Sequence, residues 1–462
     1  GYVKEALECL DEMKQHGVIP DVATLVCGLK ACGVIGDIKK GQILESEIII
    51  RGFDRDILVG NSLIGMYVKW GLISEALKVF QLLSVCNVVS WNTLISHYAE
   101  FGPWIEALNH FESMQKEKIL PDFITFCCII KACTNLRDLQ KGQILHMEIM
   151  MKGFEQKVNV GNSLINMYVN CGCFLETWHV VYGLRDRGVV TWNTLIASYA
   201  ENGLGEEALR CFVLMQAENI LPNRITLVSV FKACGSIGAI QKGYELHMEM
   251  EQQKSEMDVS IGNALIGMYA ECGFVLRAEE IFNTMPFRNV ASWIALIVGY
   301  TQNGFNQSAL ESFDNMNSHG VSPTNVTFSS ILKACGNTKS IDMGKQIHNE
   351  IMGRDLLEEN IALGNALVAM YTKCGVVDKA QQVLEELPTR DVVGWSTLIT
   401  GYTQQGRGHE ALKCAERMRS EGFSPDAVTF TCILKACGDA GVIDKGKEIH
   451  EEIVSGGLLD KD

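Results

Sequence analysis

Apolar residues along this chain come in short bursts at helical spacing. Within 88–122, Trp91, Leu94, Ile95 and Tyr98 lie three and four residues apart, and Gly102 interrupts the series. Ile105, Leu108, Phe111 and Met114 then resume it before Pro121. Such spacing puts the side chains on one face of an α-helix, and glycine and proline are the residues that stop one. The segment predicts two helices joined by a short turn, which fold back on each other as an antiparallel pair. Neither helix covers its own apolar stripe; a neighbouring pair must do so.

The neighbour is another copy. Val88-Val89-Ser90-Trp91-Asn92-Thr93-Leu94-Ile95 returns as Val189-Val190-Thr191-Trp192-Asn193-Thr194-Leu195-Ile196. It returns again as Val290-Ala291-Ser292-Trp293-Ile294-Ala295-Leu296-Ile297 and as Val392-Val393-Gly394-Trp395-Ser396-Thr397-Leu398-Ile399, at steps of 101, 101 and 102 residues. Self-similarity at fixed period predicts a solenoid, in which each unit touches only its neighbours. Each period divides into a standard unit of 35 residues, a long unit of about 35 and a short unit of 31. Standard units run over 88–122, 189–223, 290–324 and 392–426, with 1–21 the tail of another. Long units run over 22–56, 123–157, 224–258, 325–360 and 427–462, and short ones over 57–87, 158–188, 259–289 and 361–391. The expected fold is all-α: a right-handed superhelical solenoid of stacked antiparallel helix pairs, with isolated pieces only marginally stable.

Composition refines this picture. A chain of 462 residues would by length alone suggest about three globular domains, but a solenoid grows in one dimension. No apolar run approaches the roughly 20 residues a membrane span needs, so a soluble protein without a membrane partner is expected. The net charge of −15 argues against a nucleic-acid partner, although a groove can be basic on an acidic body. Most of the 17 cysteines recur in register, among them Cys32, Cys133, Cys234, Cys335 and Cys437, as small buried apolar residues do. Their odd number and spacing suggest a reducing compartment. No secretory or transit segment is visible, and the chain opens inside a unit, so a natural N-terminus is expected upstream.

One pattern imitates an enzyme. His146-Met147-Glu148, His247-Met248-Glu249, His348-Asn349-Glu350 and His450-Glu451-Glu452 match half of a zinc-deaminase signature. No Cys-x-x-Cys accompanies them, and the histidine recurs at one place in successive long units, so it reads as part of the repeat. No phosphate-binding glycine loop or nucleophile elbow is present. The expectation is no catalysis, no metal, no cofactor and no small-molecule substrate.

Together these residues resemble the pentatricopeptide repeat family, and within it the subclass that alternates standard, long and short motifs. The carriers are Val-Val-Ser-Trp-Asn-Thr-Leu-Ile with Met114 and Pro121-Asp122, Ile331 to Cys335 with Gly344 to His348, and Gly364 to Leu367 with Met370-Tyr371. The resemblance covers essentially the whole chain. It implies single-stranded RNA binding, one nucleotide per repeat, with the base read by the fifth and last residues of each unit. It also implies a mitochondrial or chloroplast setting and a role in RNA processing. There the chain would mark cytidines for C-to-U editing, with an accessory protein or an editing deaminase acting in trans and no C-terminal editing domain in this stretch. RNA stabilisation and splicing are the other roles that fit.

Carried over, Asn92 with Asp122 and Asn365 with Asp391 are expected to read U. Asn61 with Asn87, Asn193 with Asn223, and Asn263 with Asn289 are expected to read C and tolerate U. An asparagine or aspartate at the last position differs by one donor, which suits cytosine N3 or the uracil N3–H respectively. Ser396 with Asp426 is expected to read G. Asn162 ends its unit at Gly188 and keeps only a weak pyrimidine preference, and Ile294 with Thr324 reads nothing. The long units, with Val26, Cys127, Val228, Ser329 and Thr431 at the fifth place, act as spacers. Val89, Ile124, Val190, Ile225, Val326, Val393 and Val428 at second positions are expected to clamp a base from its flat side; Asn159, Ser260 and Ala291 suit that task poorly.

Each assignment has a plainer counterpart. The asparagines could serve as helix N-caps. The four tryptophans could stack bases but are better placed for the helix–helix core. Lys30, Lys131, Lys232, Lys333 and Lys435 follow the fifth position by four residues and share its helix face; phosphate contact and solvated charge are both open to them. The rival function is a protein-interaction scaffold resembling tetratricopeptide repeats, and a third is an enzyme whose catalytic domain lies beyond Asp462.

Overall fold

The computed structural model describes residues 2–83, 85–252, 258–358 and 360–455; Gly1 and the last residues of the expected final unit, 456–462, lie outside them. Among the described residues there are 27 α-helices and no strand. Packing divides the chain into two compact units, Gly1–Thr226 and Leu227–Asp462, and each is a stack of helix pairs. In the first, helix Val88–Phe101 ends at Gly102, and its partner Trp104–Lys116 packs along it. Helix Phe123–Leu136 then lies against both. The partner helix stops short of Pro121 because Glu117 caps it and Lys118 turns left-handed at φ 63°.

The core follows the apolar stripe. Leu94, Ile95, Phe111 and Met114 are buried, and Phe111 meets Phe126 of the next pair edge-on at 6.2 Å. In the second unit Phe313 and Phe328 repeat this contact at 6.4 Å. The tryptophans Trp91, Trp192, Trp293 and Trp395 are between 1% and 6% exposed, so they belong to the core and present no face to a base.

Two glycine registers mark close approach. A Cβ on Gly142, Gly243 or Gly344 would come within 2.7, 2.1 and 2.5 Å of the sulfur of Met167, Met268 and Met370. One on Gly161 or Gly364 would strike Leu184 or Leu387 at 2.8 and 2.7 Å. The long and short motifs thus owe their glycines to neighbouring side chains seated against bare backbone. The second register lies one residue before Asn162 and Asn365, and its leucine contact is within the same segment.

Histidines and cysteines in register hold units together. His146, His247 and His348 meet the hydroxyls of Tyr168, Tyr269 and Tyr371 through Nδ1 at 2.8, 2.9 and 2.9 Å. Cys32, Cys133, Cys234, Cys335 and Cys437 are buried free thiols. Burial pushes Cys133 and Cys335 up to about 12, which leaves them unreactive. The indole of Trp70 donates to the Cys32 carbonyl oxygen at 3.3 Å, and the thiols of Cys272 and Cys374 donate to the backbone carbonyl oxygens of Cys234 and Cys335 at 3.8 and 3.7 Å.

Helix starts are capped by the residue just before them. Asp122 accepts from the Thr125 N–H at 2.9 Å, Asn289 from that of Ser292 at 3.0 Å, and Asp426 from that of Thr429 at 2.8 Å. Lys157 and Gly188 make no side-chain cap, so the helices Val158–Asn170 and Val189–Glu201 start without one. Asp122→Ala is expected to lower the unfolding free energy by about 1–2 kcal/mol in thermal or denaturant melts. Gly188→Asp, which adds the missing cap, should raise the melting temperature.

A pH dependence follows from the buried imidazoles. Burial holds His146, His247 and His348 below the usual histidine value, with Glu251 opposing it and Arg277 assisting at His247, and Lys379 assisting and Glu386 opposing at His348. The unfolded chain takes up protons near pH 6.5 that the folded chain refuses, so stability falls as pH drops below that value. Melting temperature measured from pH 7.5 to 5.5 should decline, and His146→Gln/His247→Gln/His348→Gln should flatten the decline.

Candidate nucleic-acid interface

The fifth residue of each segment sits one turn into its first helix, and the last residue caps the following helix. Folding brings them to one wall. Asn92 Nδ2 donates to Asp122 Oδ1 at 3.0 Å, and Asn193 Nδ2 to Asn223 Oδ1 at 3.0 Å. Asn61 and Asn263 reach Asn87 and Asn289 at 3.3 Å, and Asn365 donates to both Asp391 oxygens at 3.0 and 3.1 Å. Asparagine is therefore not the cap; its partner is. One oxygen of Asp122 accepts from the Thr125 backbone and from the Asn92 amide together.

A third member was not singled out from the sequence. The Thr125 hydroxyl donates to Asn92 Oδ1 at 2.6 Å, Ser90 to Asn61 Oδ1 at 2.6 Å and Thr226 to Asn193 Oδ1 at 2.5 Å. The same hydroxyls also bond their own caps, Thr125 to Asp122 at 2.9 Å and Ser90 to Asn87 at 3.2 Å. The signal was present in the Ser or Thr at the third place of the following unit, as in Val88-Val89-Ser90 and Phe123-Ile124-Thr125, which reads as an ordinary capping-box partner. Its contact back to the previous unit spans a sequence separation that no local pattern encodes.

The remaining pairs depart from this plan. Asn162 faces Gly188 and has no such partner, and its carbonyl oxygen is buried without a hydrogen bond among the described residues. Ser396 bonds the Thr429 hydroxyl at 2.6 Å, and Thr429 in turn donates to Asp426 at 2.6 Å, so that pair is bridged and not joined directly. Thr324 caps its helix with Thr327 as box partner, while Ile294 brings no polar group to the wall.

Charge and exposure complete the wall. Burial pushes the Asp122 carboxyl up, but hydrogen bonds from the Thr125 N–H, Asn92 and the Thr125 hydroxyl outweigh it and hold the group below its usual value. It is ionised at neutral pH and offers acceptors only. Val89, Ile124, Val190 and Ile225 of the first compact unit, and Val326 and Val393 of the second, are between 46% and 58% exposed at the helix starts. In the first unit Lys30, Val26, Asn61, Asn87 and Val89 line one open groove of about 1070 Å³.

The lysines divide. All five are exposed. Lys131, however, is ion-paired with Glu100, which lines the same surface beside Ser96 and Asn166. Lys232 lies near Glu271, whose carboxyl burial pushes up and Lys232 draws back down. In each compact unit the surroundings of these lysines are therefore mixed in charge and not uniformly basic. Among the described residues no three His, Cys, Asp or Glu side chains are placed to hold a metal, and no helix is long and apolar enough to cross a membrane.

Comparison with known proteins gives this geometry a family. The model described as the PPR repeat family matches residues 86–135, 187–236, 288–337 and 390–439. A second, described as the PPR repeat, matches 1–18, 61–88, 263–290, 365–392 and 428–458. A chloroplastic pentatricopeptide repeat-containing protein of Arabidopsis thaliana is 34% identical over 445 residues, 95% of this chain and 72% of that protein. A mitochondrial one from the same plant is 32% identical over 449 residues, 97% of this chain but 44% of its own length. The maize protein PPR10 shares the fold at a TM-score of 0.62 and 21% identity, over 99% of this chain and 72% of its own. Its complex with an 18-nt psaJ RNA element superposes at 0.65 and 18% identity, over 97% and 70%. Repeat models over more than half of the residues, and relatives 32–34% identical along nearly all of it, establish that the chain belongs to the pentatricopeptide repeat family.

Proposed function

We propose that this protein binds single-stranded RNA sequence-selectively, about one nucleotide per repeat, through the Asn-to-last-residue pairs. The observation that carries the reading is their coupling: five asparagines reach the cap of the following helix at 3.0–3.3 Å. A scaffold for protein partners has no use for an amide paired in five units with the Asn or Asp oxygen that caps the following helix. The exposed Val and Ile residues supply the flat apolar contact that a splayed-out base needs. Stacking and hydrogen bonding at such a site contribute roughly 1–3 kcal/mol per base. The RNA complex of the similarly folded maize protein supports the same reading.

The finer reading is a member of the subclass with alternating standard, long and short motifs, divided at the boundaries given above. It would act in a mitochondrion or chloroplast, as the names of several relatives suggest, and select sites for C-to-U editing by a deaminase or accessory protein acting in trans. From residue 22 onward the expected target is 5′-N-Y-U-N-N-Y-N-Y-N-N-U-G-N-3′. Lys30, Lys333 and Lys435 are the lysines best placed for phosphate, since a carboxylate stands beside Lys131 and Lys232.

Fluorescence anisotropy at fixed ionic strength tests this reading. The target RNA should bind at least about tenfold more tightly than a version with U and G exchanged at the three defined positions. Asn92→Thr/Asn365→Thr should shift the preference toward purines there. Equal binding of both RNAs by both proteins would favour the scaffold.

A further inference from the structure

Segments 88–122 and 361–391 carry the same Asn/Asp pair, yet their surroundings differ at one atom. Thr125 donates its hydroxyl to Asn92 Oδ1 at 2.6 Å; the matching residue for Asn365 is Gly394, which has none. Asn365 Oδ1 is buried without a hydrogen-bond partner among the described residues. It lies 2.7 Å from where a Cβ on residue 394 would stand, in room that only glycine leaves. Asn263 Oδ1 also lacks a donor, but Ser292 stands at its third position, 3.1 Å from Asn289, and can turn to it.

We propose that residue 394 is a positioning residue that decides which group Asn365 shows to a base, and that Gly394 makes 361–391 the sharper reader of uracil over cytosine. The inference rests on the base-reading role proposed above. In 88–122 both ends of the carboxamide are engaged, the oxygen by Thr125 and the nitrogen by Asp122. Turning the oxygen into the groove breaks a hydrogen bond, so the group left to face a base is the second amide N–H. A donor suits cytosine N3 and gives uracil less advantage.

In 361–391 nothing holds the oxygen back. The amide nitrogen keeps one carboxylate oxygen through a tilt, because it already donates to both Asp391 oxygens at 3.0 and 3.1 Å. Outward rotation toward the base's N3 position then gives an orphaned acceptor its first donor only where N3 carries a proton. Uracil carries one at N3 and cytosine does not. A buried acceptor left unpaired by the wrong ligand is the physical basis of strong rejection.

The test measures binding of the full chain to RNAs that differ only by U or C opposite 361–391, and separately opposite 88–122. The wild-type U-to-C affinity ratio should be about three- to tenfold larger at the first position, the worth of one hydrogen bond. Gly394→Ser should erase that excess and leave the ratio opposite 88–122 untouched. Gly394→Ala, which fills the space without supplying a donor, should preserve it. Thr125→Ala only opens space, so it remains informative if residue 394 tolerates no side chain; it should raise the ratio at its own nucleotide. Unchanged ratios in Gly394→Ser and Thr125→Ala, with Asn365→Ala and Asn92→Ala still collapsing them, would overturn this inference and leave base reading standing. Ratios indifferent to Asn365→Ala and Asn92→Ala would overturn both.

Discussion

The structure turns on one shared acceptor. A single carboxylate or amide oxygen at the end of a unit accepts from the backbone of the next helix and from an asparagine of its own unit, as Asp122 does with the Thr125 N–H at 2.9 Å and Asn92 at 3.0 Å. The first bond satisfies a donor that every helix start leaves open. The second fixes a side chain that would otherwise sample several rotamers at the groove. Under the proposed function, stability and recognition therefore draw on the same atom.

This sharing fits the architecture. In a solenoid each pair depends on its neighbour for burial, so contacts that cross the joint set both local stability and local geometry. The His–Tyr bonds, the Gly–Met seats and the Phe–Phe contacts all cross the joint. The hydroxyl of Ser90, Thr125 or Thr226 holds it on the asparagine side. Where the shared acceptor is missing, at Gly188, the helix loses its cap and Asn162 loses its partner together. The second residue of that same segment is Asn159 where several other segments carry valine or isoleucine, so one stretch departs from the plan at three places.

Much of this was legible in the sequence. The 101-residue period and the apolar spacing pointed to helix pairs, and the tryptophans proved to be core, because both depend on side-chain character at fixed intervals. The pairing of Asn92 with Asp122 was inferred from resemblance, and the two side chains do meet. Three things escaped. The hydroxyl contacts link residues 29 or 33 apart, and their members look locally like any capping box. Glu100 beside Lys131 depends on which turns of successive helices face each other, so the choice between phosphate contact and solvated charge stayed open from the sequence. The capping role was weighed for the asparagines when it belongs to their partners, because helix starts are hard to place from a pattern alone.

The most direct test of a shared acceptor is a double-mutant cycle on RNA affinity with Asn92→Ala, Asp122→Ala and the double variant, using RNAs with U or C opposite 88–122. If the two side chains read the base as one unit, their effects on U-over-C selectivity are non-additive, with a coupling of about 0.5–3 kcal/mol. Additivity within roughly 0.5 kcal/mol would contradict the account, since the two residues would then act on RNA independently.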